Sequence, residues 1–380
     1  MVSCGEASGD LYAGALVREL RAIDPGIQVR GLGGAQLAGA GGELIADYHR
    51  LAVTGLTEAI GKLPVFLTTI RSLVRSARAA RPDALVAIDS PDFNFPLARR
   101  LKRLHIPVVY YISPQFWAWR PGRLKTIRDI ADLVLVIFPF EEPLYQAVGV
   151  PCEFVGHPLL DEIPATLDRE ALRRRYEIPD DAVVVALLPG SRRMEIDRLL
   201  DGMAEAFRRI RADLPSVIGI MPVAPSLSMS EIRQKLSARA DDLRLVAGDA
   251  PQVLACADFA VVASGTATLE AAVVGTPMVI VYKVAPLTML LARLLVKIRS
   301  AGLVNILAGR IVAPELLQSN ATPENIAAVV LDHVRNPAKM EEQKMALADV
   351  RQKLGLPGAA RRAAASILKV LSQTTQPVTA

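Results

Sequence analysis

Short apolar runs alternate with amphipathic stretches along this 380-residue chain, and that rhythm limits the fold more than any other feature. Runs at 84–88, 107–112, 133–138 and 152–155 alternate with helical patterns at Leu67–Ala80 and Pro96–Leu104. Apolar runs of this kind suit a parallel sheet whose strands are covered on both faces. From Ala165 to Asp181 the chain turns charged and proline-flanked, and the alternation then restarts at Val183. Strands are expected near 183–188, 217–221, 243–246, 259–263 and 277–281, with helices starting near Glu195, Ser230, Pro251, Thr266 and Pro286. Helices over 323–335, 339–353 and 358–372 follow, and the polar tail Thr374–Ala380 is expected to be disordered. The fold class is therefore α/β, in two similar halves. The expected domains are 1–164 and 165–355, with a C-terminal helix and tail over 356–380, and the length suffices for two cores.

Each apolar run that ends in a distinctive motif places it where parallel sheets bind ligands, in the loop after the strand's carboxyl end. Ala87-Ile-Asp-Ser-Pro-Asp-Phe-Asn94 puts two carboxylates, Asp89 and Asp92, after the run that ends at Ile88. After Leu188 come Pro189, Gly190, Ser191 and Arg192. There the glycine permits a tight turn, free amides can face an anion, and the guanidinium fork suits phosphate. After Ala263 come Ser264, Gly265 and Thr266 at a helix start, whose unpaired amides and positive dipole end favour a pyrophosphate. Glu270 falls one turn into that helix, placed to take two ribose hydroxyls. Two phosphate turns and a ribose acid imply a nucleotide.

Composition narrows the partners. The net charge is +5, but the basic residues are scattered along helical stretches, which favours a phosphate-bearing substrate or an anionic membrane surface over nucleic acid. Cys4, Cys152 and Cys256 lack the close pairing of a metal or redox motif and fit a reducing cytosol. His49, His105, His157 and His333 are too dispersed for a zinc site, and His157, after Val155-Gly156, reads as a hinge-proximal or purely structural residue. No signal peptide is visible, and Lys283, Pro286 and Arg293 interrupt the most apolar part of the chain, so no bilayer span is expected. Neither half carries a G-x-G-x-x-G turn with an acid some 20 residues on, which disfavours a dehydrogenase.

Six motifs in order resemble the lipid-A-disaccharide synthase family over nearly the whole chain. They are Gly5-Glu-Ala-Ser-Gly-Asp10, Ile88-Asp-Ser-Pro-Asp-Phe-Asn94, Ser113-Pro-Gln-Phe-Trp-Ala-Trp-Arg120, Leu187-Leu-Pro-Gly-Ser-Arg192, Ala263-Ser-Gly-Thr-Ala-Thr-Leu-Glu270 and Asn305-Ile-Leu-Ala-Gly-Arg310. The resemblance implies a GT-B architecture, two Rossmann-like domains with parallel sheets facing across a cleft, and an inverting glycosyltransferase needing neither metal nor cofactor. Such an enzyme joins UDP-2,3-diacylglucosamine to 2,3-diacylglucosamine 1-phosphate, releases UDP, and works peripherally at the cytoplasmic face of the inner membrane. A dimer with exchanged C-terminal segments is also implied. By resemblance Asp89 is the base, Arg192 stabilises the leaving group, and Asn305 is a further catalytic residue. Asp92 is the nearest rival to Asp89.

Simpler readings stand beside these. Asp89 and Asp92 suit a helix cap or turn, Ser264 to Thr266 an N-cap, and Glu270 the helix dipole. Glu6 and Ser8 sit in a glycine-flanked loop at a helix start, where capping competes with substrate contact. Trp117 and Trp119 suit stacking on sugar, a membrane interface, or plain packing. Leu56, Ile60, Leu63, Phe66, Leu67 and Ile70, with Lys62 and Arg71 beside them, suit either an amphipathic surface helix that meets acyl chains or a core-facing stripe. Leu287–Lys297 offers a second such stretch. The chain has only Met1-Val-Ser-Cys4 before the first motif, where the family has a full strand. A shortened first strand or a late start is expected, with a poorly held Glu6 loop. Competing functions are a UDP-N-acetylglucosamine 2-epimerase, an undecaprenyl-linked glycosyltransferase, or a non-catalytic nucleotide-binding membrane protein.

Overall fold

The computed structural model describes residues 1–51, 63–114, 124–237, 243–284 and 300–375. The chain divides into two compact units, Met1–Asp161 with Leu354–Ala380, and Glu162–Lys353.

The first unit is built on seven parallel strands: β1 (Val2–Cys4), β2 (Arg30–Gly33), β3 (Glu43–Asp47), β4 (Leu85–Ile88), β5 (Val108–Tyr111), β6 (Leu133–Val136) and β7 (Cys152–Phe154), in the order β3-β2-β1-β4-β5-β6-β7. The strands β4, β5 and β6 are buried along their whole length, as their uninterrupted apolar sequences require. The order reverses between β1 and β4, whose following segments leave on opposite sides of the sheet. That reversal opens a crevice at the strands' carboxyl ends.

The second unit repeats the plan with β8 (Val184–Leu188), β9 (Ile218–Val223), β10 (Leu243–Ala247), β11 (Phe259–Ala263), β12 (Met278–Tyr282) and β13 (Glu315–Leu317), ordered β10-β9-β8-β11-β12-β13. Its reversal lies between β8 and β11. Both sheets are covered by helices whose apolar faces form a separate core in each unit.

β1 is short, as expected, but it is fully partnered. It has three residues, yet it lies mid-sheet with parallel partners on both sides, Ser3 opposite Leu32 and Ala87. Met1 extends the pairing, because its carbonyl accepts from Val86 N at 2.8 Å. Three residues suffice because neighbours on both edges satisfy the backbone. The helix expected from Pro96 begins at Pro91 instead, with Pro91 at its first turn where no intrahelical donor is needed, and Pro96 inside it.

The helix Leu63–Ala80 resolves part of the amphipathic segment. Ile70, Leu73 and Ala77 are buried, and Phe66 packs edge-on against Phe93 with ring centroids 5.1 Å apart, so these residues face the core. Leu63 and Val65 point outward, 54% and 36% exposed. Residues 52–62 and Leu287–Lys297 lie outside the described residues. Among the described residues no helix is long and apolar enough to cross a membrane. The helix Ala359–Thr375 packs on the helix Ala7–Ile23 of the same unit, and Arg362 Nε donates to Val155 O at 2.8 Å.

His157 belongs to this framework. It is buried, its ring packs against Phe138, its amide donates to Leu354 O at 2.9 Å, and its Nδ1 accepts from Leu159 N at 3.1 Å. Burial lowers its pKa from 6.5 to about 4. Folding therefore disfavours the proton, so this residue's contribution is complete above pH 6.5 and is lost as pH falls towards 4. The loss amounts to about 3 kcal/mol. His157→Asn keeps an acceptor for the Leu159 amide and removes the titration. Urea unfolding at a series of pH values should show a shallower loss of stability between pH 6.5 and 4 in this variant than in the wild type, and parallel curves would refute the assignment.

Candidate active site

At the reversal point of the first unit, β4 ends in an unusual turn. Asp89 and Ser90 both adopt left-handed backbone, with φ of 44° and 45°. Such conformations cost roughly 1–2 kcal/mol at non-glycine residues and persist only where the surroundings hold them. Here the carbonyl of Asp89 accepts from Tyr110 Oη at 2.6 Å and from Asn94 Nδ2 at 2.8 Å. Asn94 is itself buried, with its Oδ1 accepting from Ser3 Oγ at 2.6 Å. Ser90 Oγ accepts from Gly5 N at 3.2 Å, which ties the loop after β1 to the turn after β4. The Glu6 loop is thus held, contrary to the expectation from the short N-terminus.

The turn separates the two carboxylates. Asp89 is half-buried at the crevice, whereas Asp92 is exposed in the first turn of Pro91–Lys102, where it complements the helix dipole. Glu6 occupies the N-cap of Ala7–Ile23 without capping it, and Ser8 is exposed in the first turn. The capping reading therefore does not hold for the Glu6 side chain. Asp10 holds the next loop instead, its carboxylate accepting from the amides of Gly34, Gln36 and Leu37. Trp117 and Trp119 lie outside the described residues.

In the second unit both glycine-containing turns follow the strands that flank the reversal. Gly190-Ser191-Arg192 leaves β8, and Ser264-Gly265-Thr266 leaves β11, the adjacent strand. The helix Ala267–Val274 starts at Thr266, and the amides of Gly265, Thr266 and Ala267 meet no protein acceptor among the described residues. Gly265 has φ of 152°, and the space where a Cβ would stand is open. An anion can be cradled here. Ser264 Oγ is committed elsewhere, donating to Ala301 O at 2.7 Å.

The Gly190 turn differs from expectation. The amides of Ser191 and Arg192 are not free: both donate to Glu195 Oε2, at 2.9 and 3.1 Å. What this turn offers a ligand is the Arg192 guanidinium, whose side chain is 70% exposed and lies 3.6 Å from Glu195 Oε1. Tyr282, at the end of β12 and two strands from β8, was not singled out by its sequence context. Burial raises its phenol pKa, and the nearby Glu195 charge raises it further, opposed by Arg198 and Arg192.

Asn305 is buried and its amide is saturated. Nδ2 donates to Ala313 O and Glu315 Oε1, each at 2.8 Å, and Oδ1 accepts from Val312 N and Ala313 N. An amide has two donor and two acceptor sites, so nothing remains for substrate. Its geometry is that of a clamp on 312–315 rather than a catalytic contact. The partner Glu315 also accepts from the amides of Ala301 and Gly302 at 2.9 and 3.0 Å, which fixes the segment that Ser264 binds.

A family model described as Lipid-A-disaccharide synthetase matches residues 1–369. The chain belongs to that family. It is 46% identical over 375 residues to the lipid-A-disaccharide synthase of Syntrophus aciditrophicus, covering 98% of each chain. With that of Myxococcus xanthus it shares 44% over 371 residues, 98% of this chain and 97% of the other. Among solved structures, the S. aureus MnaA–UDP co-structure has a TM-score of 0.68 at 14% identity, over 99% of this chain and 98% of that one. The Acinetobacter baumannii MurG structure has a TM-score of 0.58 at 18% identity, over 97% and 98%. At such identities the likeness carries architecture alone, here the two-sheet α/β plan of GT-B glycosyltransferases and epimerases.

For this family member Glu270 gives a direct test of nucleotide binding. It lies half-buried in the first turn of Ala267–Val274, and burial raises its pKa. A carboxyl group accepts from two ribose hydroxyls most strongly when it is ionised. UDP affinity measured by calorimetry should therefore weaken as pH is lowered towards the raised pKa. Glu270→Gln should bind more weakly at neutral pH and show a smaller pH dependence, whereas identical pH profiles would remove Glu270 from the ribose site.

Proposed function

We propose that this protein transfers the diacylglucosamine of UDP-2,3-diacylglucosamine to 2,3-diacylglucosamine 1-phosphate, giving the lipid A disaccharide 1-phosphate and UDP. One observation carries the reading. In each unit two of the motifs occupy the loops on the two strands where the sheet order reverses, the position at which α/β sheets bind ligands.

The second unit supplies the nucleotide site. The open amides of Gly265 to Ala267 take the diphosphate, Glu270 takes the ribose, and Arg192 meets the phosphate charge as it grows. The first unit supplies Asp89. An acceptor hydroxyl attacks the anomeric carbon from the face opposite UDP, and its proton passes to the Asp89 carboxylate. The bond to the β-phosphate oxygen breaks with its electron pair leaving on UDP, and the configuration inverts. Each group then does what its environment equips it for: a carboxylate on a held backbone turn accepts a proton, and preorganised donors stabilise the departing anion.

The acyl chains call for an apolar approach, and the exposed Leu63 and Val65 with the exposed Arg71 and Arg75 on the same helix suit peripheral contact with an anionic bilayer. Leu63→Ser with Val65→Ser should reduce sedimentation with phosphatidylglycerol liposomes at unchanged melting temperature. Equal sedimentation would remove this surface from the membrane reading.

The decisive experiment is incubation of the full chain with both lipid substrates in detergent containing EDTA, with mass spectrometry of the products. Disaccharide 1-phosphate and UDP in equal amounts are expected. Epimerisation of UDP-N-acetylglucosamine without a lipid product, or UDP binding without turnover, would overturn the assignment.

A further inference from the structure

The helix Arg193–Asp213 begins in an unusual way. Its N-cap is Arg192, a residue without any side-chain acceptor, at a position where Ser, Thr, Asp or Asn would stabilise the helix by about 1 kcal/mol. The deficit is met from within the first turn. Glu195 reaches back, and one oxygen accepts from the amides of both Ser191 and Arg192. This is the glutamate half of a capping box, with arginine where the serine would stand. The Ser191 peptide is pinned on its other side too, because its carbonyl accepts from Ser226 Oγ at 2.8 Å.

The same carboxylate dictates the residue before it. Gly190 has φ of 115°, and a Cβ there would stand 2.2 Å from Glu195 Oε2. Three consecutive residues of the motif thus take their backbone course from one side chain. A turn built only for stability would carry a good cap. This one carries an exposed guanidinium at the mouth of the reversal point and a partly covered glutamate beneath it. Locally suboptimal choices of this kind concentrate at functional sites.

We propose that Glu195 is a positioning residue for glycosyl transfer, holding the Arg192 backbone so that the guanidinium is delivered to the leaving diphosphate. The inference rests on the reading of Arg192 as leaving-group stabiliser. Glu195 touches no substrate in this role. Its carboxylate takes the two amides that a phosphate would otherwise claim, and leaves the guanidinium as the group presented to the ligand.

The test is a double-mutant cycle with kcat, donor KM and melting temperature measured for Glu195→Ala, Glu195→Gln, Arg192→Ala and the Glu195→Ala/Arg192→Ala pair. Misplacing a catalytic group by about 1 Å costs up to ~100-fold, so Glu195→Ala should lower kcat roughly 10- to 100-fold with donor KM within about threefold. Glutamine can accept both amides through one oxygen, so Glu195→Gln should recover most of the rate. In the Arg192→Ala background the further loss from Glu195→Ala should be less than about twofold, because the group being positioned is gone. A wild-type kcat in Glu195→Ala, or an equal loss in both backgrounds, would overturn the inference and leave Glu195 as a helix cap. A wild-type kcat in Arg192→Ala would overturn the leaving-group reading itself, and the inference with it.

Discussion

Asp89→Asn should retain the fold and lose catalysis, with kcat lowered about 10²- to 10⁴-fold, the range that a positioned general base contributes. Asparagine is the substitution to make, for a reason given by the backbone. Asp89 lies at φ of 44°, a conformation that Asp and Asn tolerate and alanine does not. Asp89→Ala would therefore mix backbone strain into the rate. Asparagine keeps side-chain volume and leaves the carbonyl that accepts from Tyr110 and Asn94 in place. The variant should melt within a few degrees of the wild type and bind UDP with unchanged affinity, since the residues proposed to hold the nucleotide belong to the other unit. Asp92→Asn serves as the control: exposed in a first helical turn, it should cost little in rate and at most a few tenths of a kcal/mol in stability. A rate in Asp89→Asn equal to wild type would dismiss Asp89 as the base, and loss in Asp92→Asn alone would transfer the role.

The difference between these aspartates shows what could be read from the chain and what could not. Their presence after an apolar run was legible, because a short run such as Leu85–Ile88 between helical stretches suits an interior strand of a parallel sheet. The strand Phe259–Ala263 was legible over the same residues for the same reason. β2, β3 and β13 were not: Arg30–Gly33 contains two glycines, and Glu43–Asp47 and Glu315–Leu317 lie at sheet edges without a continuous apolar run. The sheet order was invisible as well, since it arises from long-range pairing. Yet that order is what sets the four motif loops on two pairs of adjacent strands.

Polar residues deceived in a consistent way. Asn305 has the residue type of a catalytic group, but its amide is spent on Val312, Ala313 and Glu315, and no pattern in sequence announces saturation. The amides of Ser191 and Arg192 were expected to face an anion, and they do, but the anion is Glu195 of the same chain. That signal was present. A glutamate three residues after a helix N-cap is the spacing of a capping box, and the arginine in the first position disguised it. Tyr110, which holds the Asp89 turn, carries no signal beyond its place in an apolar run.

Arg192→Ala is the second substitution expected to act strongly on rate and weakly on fold. Its side chain is 70% exposed and lies 3.6 Å from Glu195, a pairing that in water contributes less than about 1 kcal/mol. Alanine at this position keeps the Arg192 amide that Glu195 accepts, and arginine was never a helix cap, so the start of Arg193–Asp213 loses little. In the proposed reaction the guanidinium acts where charge develops. As the glycosidic bond to UDP breaks, the diphosphate gains negative charge, and removing one preorganised donor from such a site costs about 10²- to 10³-fold in kcat. Ground-state binding should fall much less, because in the proposed site the diphosphate is held by the amides of Gly265 to Ala267 before and after transfer. Single-turnover rates and UDP affinities measured side by side should show this split. Arg192→Lys should recover only part of the rate, since an ammonium restores the charge without the planar fork that meets two phosphate oxygens at once. Equal losses in affinity and rate would make Arg192 a binding residue, and an unchanged rate would take the leaving-group role from it altogether.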